Sequence, residues 1–428
     1  MGFPNVVPLV KSAAYLRTFL SRQGHWVVAA NVITKLLGFA AVVFVTRHTT
    51  EQAYGAYSYA MNLVGATVPF MGLGAYQAFL RFASDAPGAS AKKQLFSYAF
   101  SRGIVFSLGL IAVLQFAASW LCQAIPESVV PFRLVSFVVL TTLVMEYVKS
   151  YARAIHLNHV SAYVDLTYAL LLVTFTVLLT QGMGIAGYAA AVAASPVLAA
   201  LPYAKKLGLL RVMWGPLGEG YSGFWSYGLF TTAGALLAQL FYSVDVVMIG
   251  HFVGENASAV AVYRIALLIP MATSVLPISV AATDFVKNSA NKHRPAELRE
   301  YVWNYWKTFG LVSCAAIVTL WILAPWLLTV FGEGYAEGAS VMRVFLVGTL
   351  GAHLFRVPFG HLLSAVGRAD WNTYVNAAVF VLTAVACYLA VPRWGIHGAA
   401  ATMATMLWVS GLMYALMFGV HLRAQKHD

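Results

Sequence analysis

Charge is scarce in this sequence. Asp, Glu, Lys and Arg make up 10% of its 428 residues, against about 25% in a soluble domain. Cysteine is scarcer still: Cys122, Cys314 and Cys387 stand apart in apolar stretches, without metal-ligand or redox spacing. That excludes a disulfide framework and a zinc module. No Gly-x-x-x-x-Gly-Lys-[Ser/Thr] loop, His-Glu-x-x-His motif or Gly-x-Ser-x-Gly elbow occurs, which removes the usual routes to nucleotide, zinc and serine-hydrolase chemistry. A Gly-x-Gly-x-x-Gly match at Gly182, Gly184 and Gly187 follows no strand and reads as a tight turn between apolar runs.

What the chain has instead is apolar length. Sixty per cent of its residues are hydrophobic, and about 20 such residues in a row cross a bilayer. Runs of that kind fall near 24–46, 53–80, 95–120, 129–150, 158–180 and 183–204. After a polar linker, 205–222, come 223–250, 258–285, 302–330, 340–365, 370–391 and 396–420. The reading is an all-α polytopic membrane protein of twelve transmembrane helices, with an N-terminal lobe at 1–204 and a C-terminal lobe at 223–428. The net charge of +12 is dispersed between apolar runs, so no nucleic-acid partner is expected.

Lys and Arg concentrate in cytoplasmic loops. With alternate loops assigned to one side, nineteen cations fall together, among them Lys11, Arg17, Arg22, Arg211 and Lys426. Four, Arg47, Arg133, Arg343 and Arg393, fall on the other side. Both termini are expected in the cytoplasm. Residues 1–22, interrupted by Lys11 and Arg17, read as a cytoplasmic lead-in rather than a signal peptide.

The two halves resemble each other. Tyr57, Ala60, Ala66 and Thr67 recur 206 residues later as Tyr263, Ala266, Ala272 and Thr273. Gly184, Ile185, Gly187 and Ala189 recur 211 residues later as Gly395, Ile396, Gly398 and Ala400. Six spans per repeat send both halves into the membrane in the same direction. The pseudo-twofold axis then runs along the membrane normal, with a central cavity between two six-helix bundles. That is the architecture of a carrier.

A Lys, Arg or Asp near the bilayer centre costs about 2.5 to 3.5 kcal/mol even on the lenient insertion scale, so each calls for a cavity or a partner. Lys35 lies midway along the first span, on a stripe with Asn31, Thr34 and Gly38. Arg264 lies in the eighth span, and Arg356 in the tenth, on a stripe with His353, Gly360 and Ser364. In one reading Lys35, Arg264 and Arg356, with Asn31 and His353 beside them, line the cavity and receive a phosphate or diphosphate, whose oxygens suit guanidinium. In the other they pair structurally, as Arg264 with Asp245, or reach toward an interface. Asp245, near Gln239 and Ser243, is either a counter-ion or a carrier of H+ or Na+. Glu146, Lys149 and Asp165 gather toward the cytoplasm and are expected as a gate or as helix-end ion pairs. Arg102, near a span end, reads as structural.

The stretch from Asn31 to Arg81 carries a first span with small and polar residues, then Thr46-Arg47-His48, Ala53-Tyr54-Gly55-Ala56-Tyr57, Gly72-Leu73-Gly74 and Arg81-Phe82. With the twelve-span layout and the repeated Gly-Ile-x-Gly openings, it resembles the multidrug, oligosaccharidyl-lipid and polysaccharide exporter superfamily. Within that superfamily the chain is most similar to the polysaccharide flippases of the O-antigen, Wzx type. The resemblance implies movement of an undecaprenyl-diphosphate-linked oligosaccharide from the cytoplasmic to the periplasmic leaflet of the bacterial inner membrane. It implies alternating access coupled to an ion gradient, H+ or Na+, with membrane lipids and other polysaccharide assembly proteins as partners. Neither a cofactor nor a catalytic or metal-binding residue is implied. Lipid II flippases are similar but have fourteen spans. Drug exporters use intramembrane acids in the N-terminal lobe, where this chain places Lys35. Two other readings stay open: a multidrug or metabolite cation antiporter binding at Asp245, and a membrane-embedded polysaccharide polymerase or ligase using Glu127, Glu333 or Glu337. The short outer loops count against the latter.

Overall fold

A bilayer leaves no water for backbone N–H and C=O groups, so an apolar chain satisfies them within helices. The computed structural model describes residues 24–210, 214–217, 221–253 and 257–424, apart from the side chains of 24–32, 282, 283 and 286. Among the described residues helices dominate and no strand occurs. Eight helices are long and apolar enough to cross a membrane. A bent pair, Phe224–Phe241 and Val244–Phe252, passes the same test across a 44° break. The protein is therefore a multi-pass membrane protein. The cations Lys11, Arg17, Arg22, Arg211 and Lys426 lie outside the described residues.

Two of the long helices, Asn158–Lys206 and Ala369–Ala424, hold 49 and 56 residues, about twice what one crossing takes. Each breaks at a glycine, Gly184 at φ 57° and ψ −136° and Gly395 at φ 53° and ψ −135°, a conformation that costs a residue with a Cβ dearly. The chain reverses there. A Cβ on Gly187 would strike the carbonyl of Leu179, and one on Gly398 that of Ala390, whereas a straight helix holds residues eight apart at about 12 Å. The Thr167 and Tyr203 hydroxyls meet at 3.0 Å across the first hairpin.

The duplication read from the sequence reappears in the element bounds. Glu51–Thr67 and Ala257–Thr273 are both 17 residues long and lie 206 apart at each end. Asn158 and Ala369, where the two hairpins begin, lie 211 apart, as do Gly184 and Gly395. The first helix of the earlier pair is started by Thr50, whose side chain accepts from the Ala53 amide at 3.2 Å, a conventional N-cap.

Two expected spans prove to be interrupted. The run 53–80 breaks after Thr67, where Gly72, Leu73 and Gly74 take φ values of 59°, 51° and 70°. The Gly72 amide, freed from the helix, donates to Ser107 Oγ at 3.1 Å. The run 223–250 breaks at Tyr242 and Ser243, whose amides bond three residues back rather than four. The Ser243 carbonyl also accepts from the Asn62 side chain at 2.9 Å. Hydropathy misses both breaks, because it averages over a window and records no torsion.

The chain divides into two compact units. One comprises 1–48, 70–116 and 133–232, the other 49–69, 117–132 and 233–428. In the first, Gly24–His48 and Val138–Ala154 both pack along Asn158–Lys206, and Phe79, Phe96, Tyr147 and Tyr151 form an aromatic knot. In the second, Glu51–Thr67 packs along Ala257–Thr273, and Ala339–Gly351 along Ala369–Ala424. Lipid offers no hydrophobic drive between helices, so close fit supplies the attraction. Gly55 lies so near the Ala257 carbonyl, and Gly348 so near Ala404, that neither has room for a methyl group.

Candidate functional site

In the second unit Arg356 closes the π-helical turn Ala352–Arg356, a form that concentrates at functional sites. Its guanidinium carbon stands 4.8 Å from the ring centre of Phe241 and 5.6 Å from that of Tyr414. Nη2 donates to Asn376 Oδ1 at 2.9 Å, and the Tyr414 hydroxyl donates to the same oxygen at 2.9 Å. Nη1 is buried and donates to no group among the described residues. The cation is thus held by two rings and a neutral amide, with no ion-paired carboxylate among the described residues. A buried N–H without an acceptor is costly, and an anionic oxygen would satisfy it.

His353, three residues earlier, points elsewhere. It is 2% exposed, and its Nε2 lies 3.4 Å from Thr273 Oγ1 and 3.3 Å from Ser274 Oγ. The ring sits at the break between Ala257–Thr273 and Val275–Ala290, among hydroxyls rather than on the guanidinium.

Asp245 opens Val244–Phe252 just past the bend and is 1% exposed. Its Oδ2 accepts from the Tyr263 hydroxyl at 2.6 Å, and its Oδ1 from the Val246 amide at 2.8 Å. No cation lies within ion-pair distance among the described residues. Arg264 acts on Asp245 and Tyr54 only through space, so the direct Arg264–Asp245 pair weighed above does not form. Cys387 and Thr402 complete the surroundings of the carboxylate. Tyr263 escaped the sequence reading as a functional residue. Its only signal was its place in the repeat opposite Tyr57.

In the first unit Lys35 is exposed on Gly24–His48 and forms no ion pair among the described residues. Asn31 lies on the same helix, its side chain outside the described residues. Glu146, Lys149 and Asp165 do come together. Lys149 Nζ lies 2.8 Å from Glu146 Oε1 and 2.7 Å from Asp165 Oδ1, and Lys149 is 8% exposed. Arg102 stacks on Tyr98 and Trp214 and donates to the Ser101 hydroxyl at 3.1 Å and to the Gly215 carbonyl at 3.4 Å, tying the linker to the helix end. Among the described residues no group of three His, Cys, Asp or Glu could hold a metal ion. Asn376, Phe241 and Tyr414, which shape the Arg356 site, carry no charge and left no mark in the sequence.

Comparison with known proteins gives this geometry a context. The family model described as "Polysaccharide biosynthesis protein" matches residues 20–285, and the MatE model matches 232–389. The teichuronic acid biosynthesis protein TuaB of Bacillus subtilis is 29% identical over 204 residues, which is 47% of this chain and 40% of that protein. The chain therefore matches less than half the length of this curated relative. Among solved structures, the lipid II flippase MurJ in an inward closed conformation has a TM-score of 0.75 at 12% identity, covering 92% of this chain and 87% of its own. An inward-facing multidrug resistance MATE transporter has a TM-score of 0.73 at 17% identity, covering 92% and 96%. A transporter of the same superfamily from Pyrococcus furiosus, described as having a binding pocket of reversed polarity, has a TM-score of 0.67 at 15% identity, covering 95% and 96%.

Proposed function

Since the chain belongs to the polysaccharide biosynthesis protein family, we propose that it is a flippase for an undecaprenyl-diphosphate-linked oligosaccharide, moving it from the cytoplasmic to the periplasmic leaflet of the bacterial inner membrane. The observation that carries this reading is Arg356, a half-buried guanidinium with aromatic and amide support, a buried Nη1 left without an acceptor and no ion-paired carboxylate among the described residues. A cation kept unpaired away from water is maintained for an anion that comes and goes. In the proposed cycle Arg356, Arg264 and Lys35 receive the diphosphate in a cavity open to the cytoplasm. The glycan lies in the wet lumen and the polyprenyl chain stays in lipid. Twelve crossings form two lobes, 1–204 and 223–428, with both termini cytoplasmic, and the lobes rock to expose the head group outside.

The Asp245–Tyr263 pair supports ion-gradient coupling. A buried acid with a hydroxyl but no cation beside it takes up H+ or Na+ without displacing a salt bridge. The Glu146–Lys149–Asp165 cluster, two acids on one cation, is suited to opening as a gate on the other unit.

Surface polysaccharide should be lost in cells whose only copy is the Lys35→Ala, Arg264→Ala, Arg356→Ala variant, with the protein still in the membrane. Wild-type export by that variant refutes the site. The second reading, a cation antiporter, draws on the same buried Asp245. Thermal stabilisation of the purified protein by a cationic drug, and not by a polyprenyl-diphosphate sugar, would favour it.

A further inference from the structure

A cavity lies in the second unit, and Arg356 is not among the residues that line it. It encloses about 480 Å³ between the end of Val275–Ala290 and the start of Pro295–Tyr305, within the range of small-ligand sites. The cation count assigns this end to the cytoplasm. Carboxylates reach it from Asp284, Glu297 and Glu300, and carboxamides from Asn288, Asn291 and Asn304. Tyr301, Tyr305 and Phe309 supply rings.

The charges in this lining are largely cancelled. Glu297 is engaged by Arg294 at 2.9 Å. Lys287, also in the wall, opposes Asp284. Asp284 and Glu300 form no ion pair among the described residues. Three carboxylates face two cations, Lys287 and Arg294, so the remaining charge disfavours a phosphate and is too small to select a strongly cationic ligand. It offers many planar donors and acceptors, each able to bridge two adjacent hydroxyls, and tyrosine rings that pair an apolar face with a polar edge. Asn288, 4% exposed, is held in place by its surroundings before any ligand arrives.

Its wall is also wired to the Arg356 turn. Tyr305 lines the cavity and donates through its hydroxyl to the His353 carbonyl at 2.9 Å. The next residue, Trp306, donates to the Leu354 carbonyl at 2.8 Å. Both acceptors belong to Ala352–Arg356, and the donors, Tyr305 and Trp306, sit where a second π-helical turn, Trp306–Gly310, begins. A ligand in the cavity and one on Arg356 would thus be sensed by the same hydrogen-bonded pair of turns.

We propose that the cavity bounded by Asp284, Asn288, Glu300, Tyr301 and Asn304 is a binding site for neutral sugar units, recognised through their hydroxyls. The proposal rests on the flippase reading for its biological sense, since it gives the glycan a station separate from the diphosphate. Its test does not depend on that reading.

Full-length protein in nanodiscs is probed by saturation-transfer NMR with methyl pyranosides of glucose, galactose, mannose and N-acetylglucosamine. At least one should receive saturation, and the signal should fall at least fivefold in Glu300→Gln and Asn304→Leu while persisting in Arg356→Ala. As a readout that tolerates a weakened fold, Asn304→Cys should be alkylated by a maleimide several-fold more slowly in the presence of the bound pyranoside. Saturation of none of the four sugars overturns the proposal. So does binding unaffected by both substitutions, or protection of Asn304→Cys by spermidine and not by sugar. If sugars bind here while a polyprenyl diphosphate fails to bind at Arg356, the flippase reading fails and this site stands.

Discussion

A guanidinium between two rings keeps its orientation without spending its charge, as both Arg102 and Arg356 do, but of the two only Arg356 keeps a buried N–H without an acceptor among the described residues. Asn376 is the residue on which this rests, because it holds Nη2 at 2.9 Å while remaining neutral. Asn376→Asp would keep the shape and supply the missing counter-charge, and charge-assisted bonds are roughly twice as strong as neutral ones. We expect it to leave thermal stability unchanged or raised, yet to weaken polyprenyl-diphosphate binding by at least about tenfold, equivalent to ~1.4 kcal/mol; ligand titration with a melting curve reads both. Arg356→Lys retains a charge but loses the planar stack and the fork, so binding should fall between wild type and Arg356→Ala. At Asp245 the comparison is Tyr263→Phe. Deleting the 2.6 Å donor to a buried carboxylate should cost about 1.5 to 3 kcal/mol of stability. Asp245→Asn, which has no charge to compensate, should cost less while abolishing dependence on the ion gradient in a vesicle transport assay. Equal losses in both variants would leave Asp245 with a purely structural role.

At the scale of elements, the same feature appears twice and should fail twice. Gly184 and Gly395 reverse the two long hairpins with nearly identical torsions, and an alanine there incurs about 1–2 kcal/mol of backbone strain. Gly184→Ala and Gly395→Ala should therefore lower the melting temperature by similar amounts. Gly55→Val, which drives a side chain into the Ala257 carbonyl, should cost at least the 1–3 kcal/mol typical of overpacking and loosen Glu51–Thr67 from Ala257–Thr273. These pairs show how far the sequence could be read. Repeated Gly-Ile-x-Gly runs and an offset of 206 foretold duplicated helices, because a turn that demands glycine leaves a visible letter. The break at 68–74 was hidden, since Leu73 at φ 51° is apolar and nothing in hydropathy records a torsion. The candidate site was legible only in its charges. Asn376, Tyr414 and Tyr263 are neutral residues whose roles come from packing that joins positions 18 to 38 residues apart.

For the whole molecule, the sharpest question is whether the repeats run parallel or inverted in the membrane. An even number of crossings per repeat puts the turns at Gly184 and Gly395 on the same face, and an odd number puts them on opposite faces. With alternate loops assigned to one side, nineteen Lys and Arg fall together against four, so the even case is expected, with both turns outside. Single cysteines decide it. Gln181 and Arg393 are exposed beside the two turns, and Lys206 and Asp370 are exposed near the opposite ends of the hairpins. Cys314 is replaced by Ser, because Cys122 and Cys387 are already buried. In intact spheroplasts a membrane-impermeant maleimide should label Gln181→Cys and Arg393→Cys to similar extents. Lys206→Cys and Asp370→Cys should be labelled only after permeabilisation. Labelling of Gln181→Cys and Arg393→Cys from opposite sides would mean an odd repeat, an axis lying in the membrane plane, and a carrier whose halves exchange roles instead of rocking side by side.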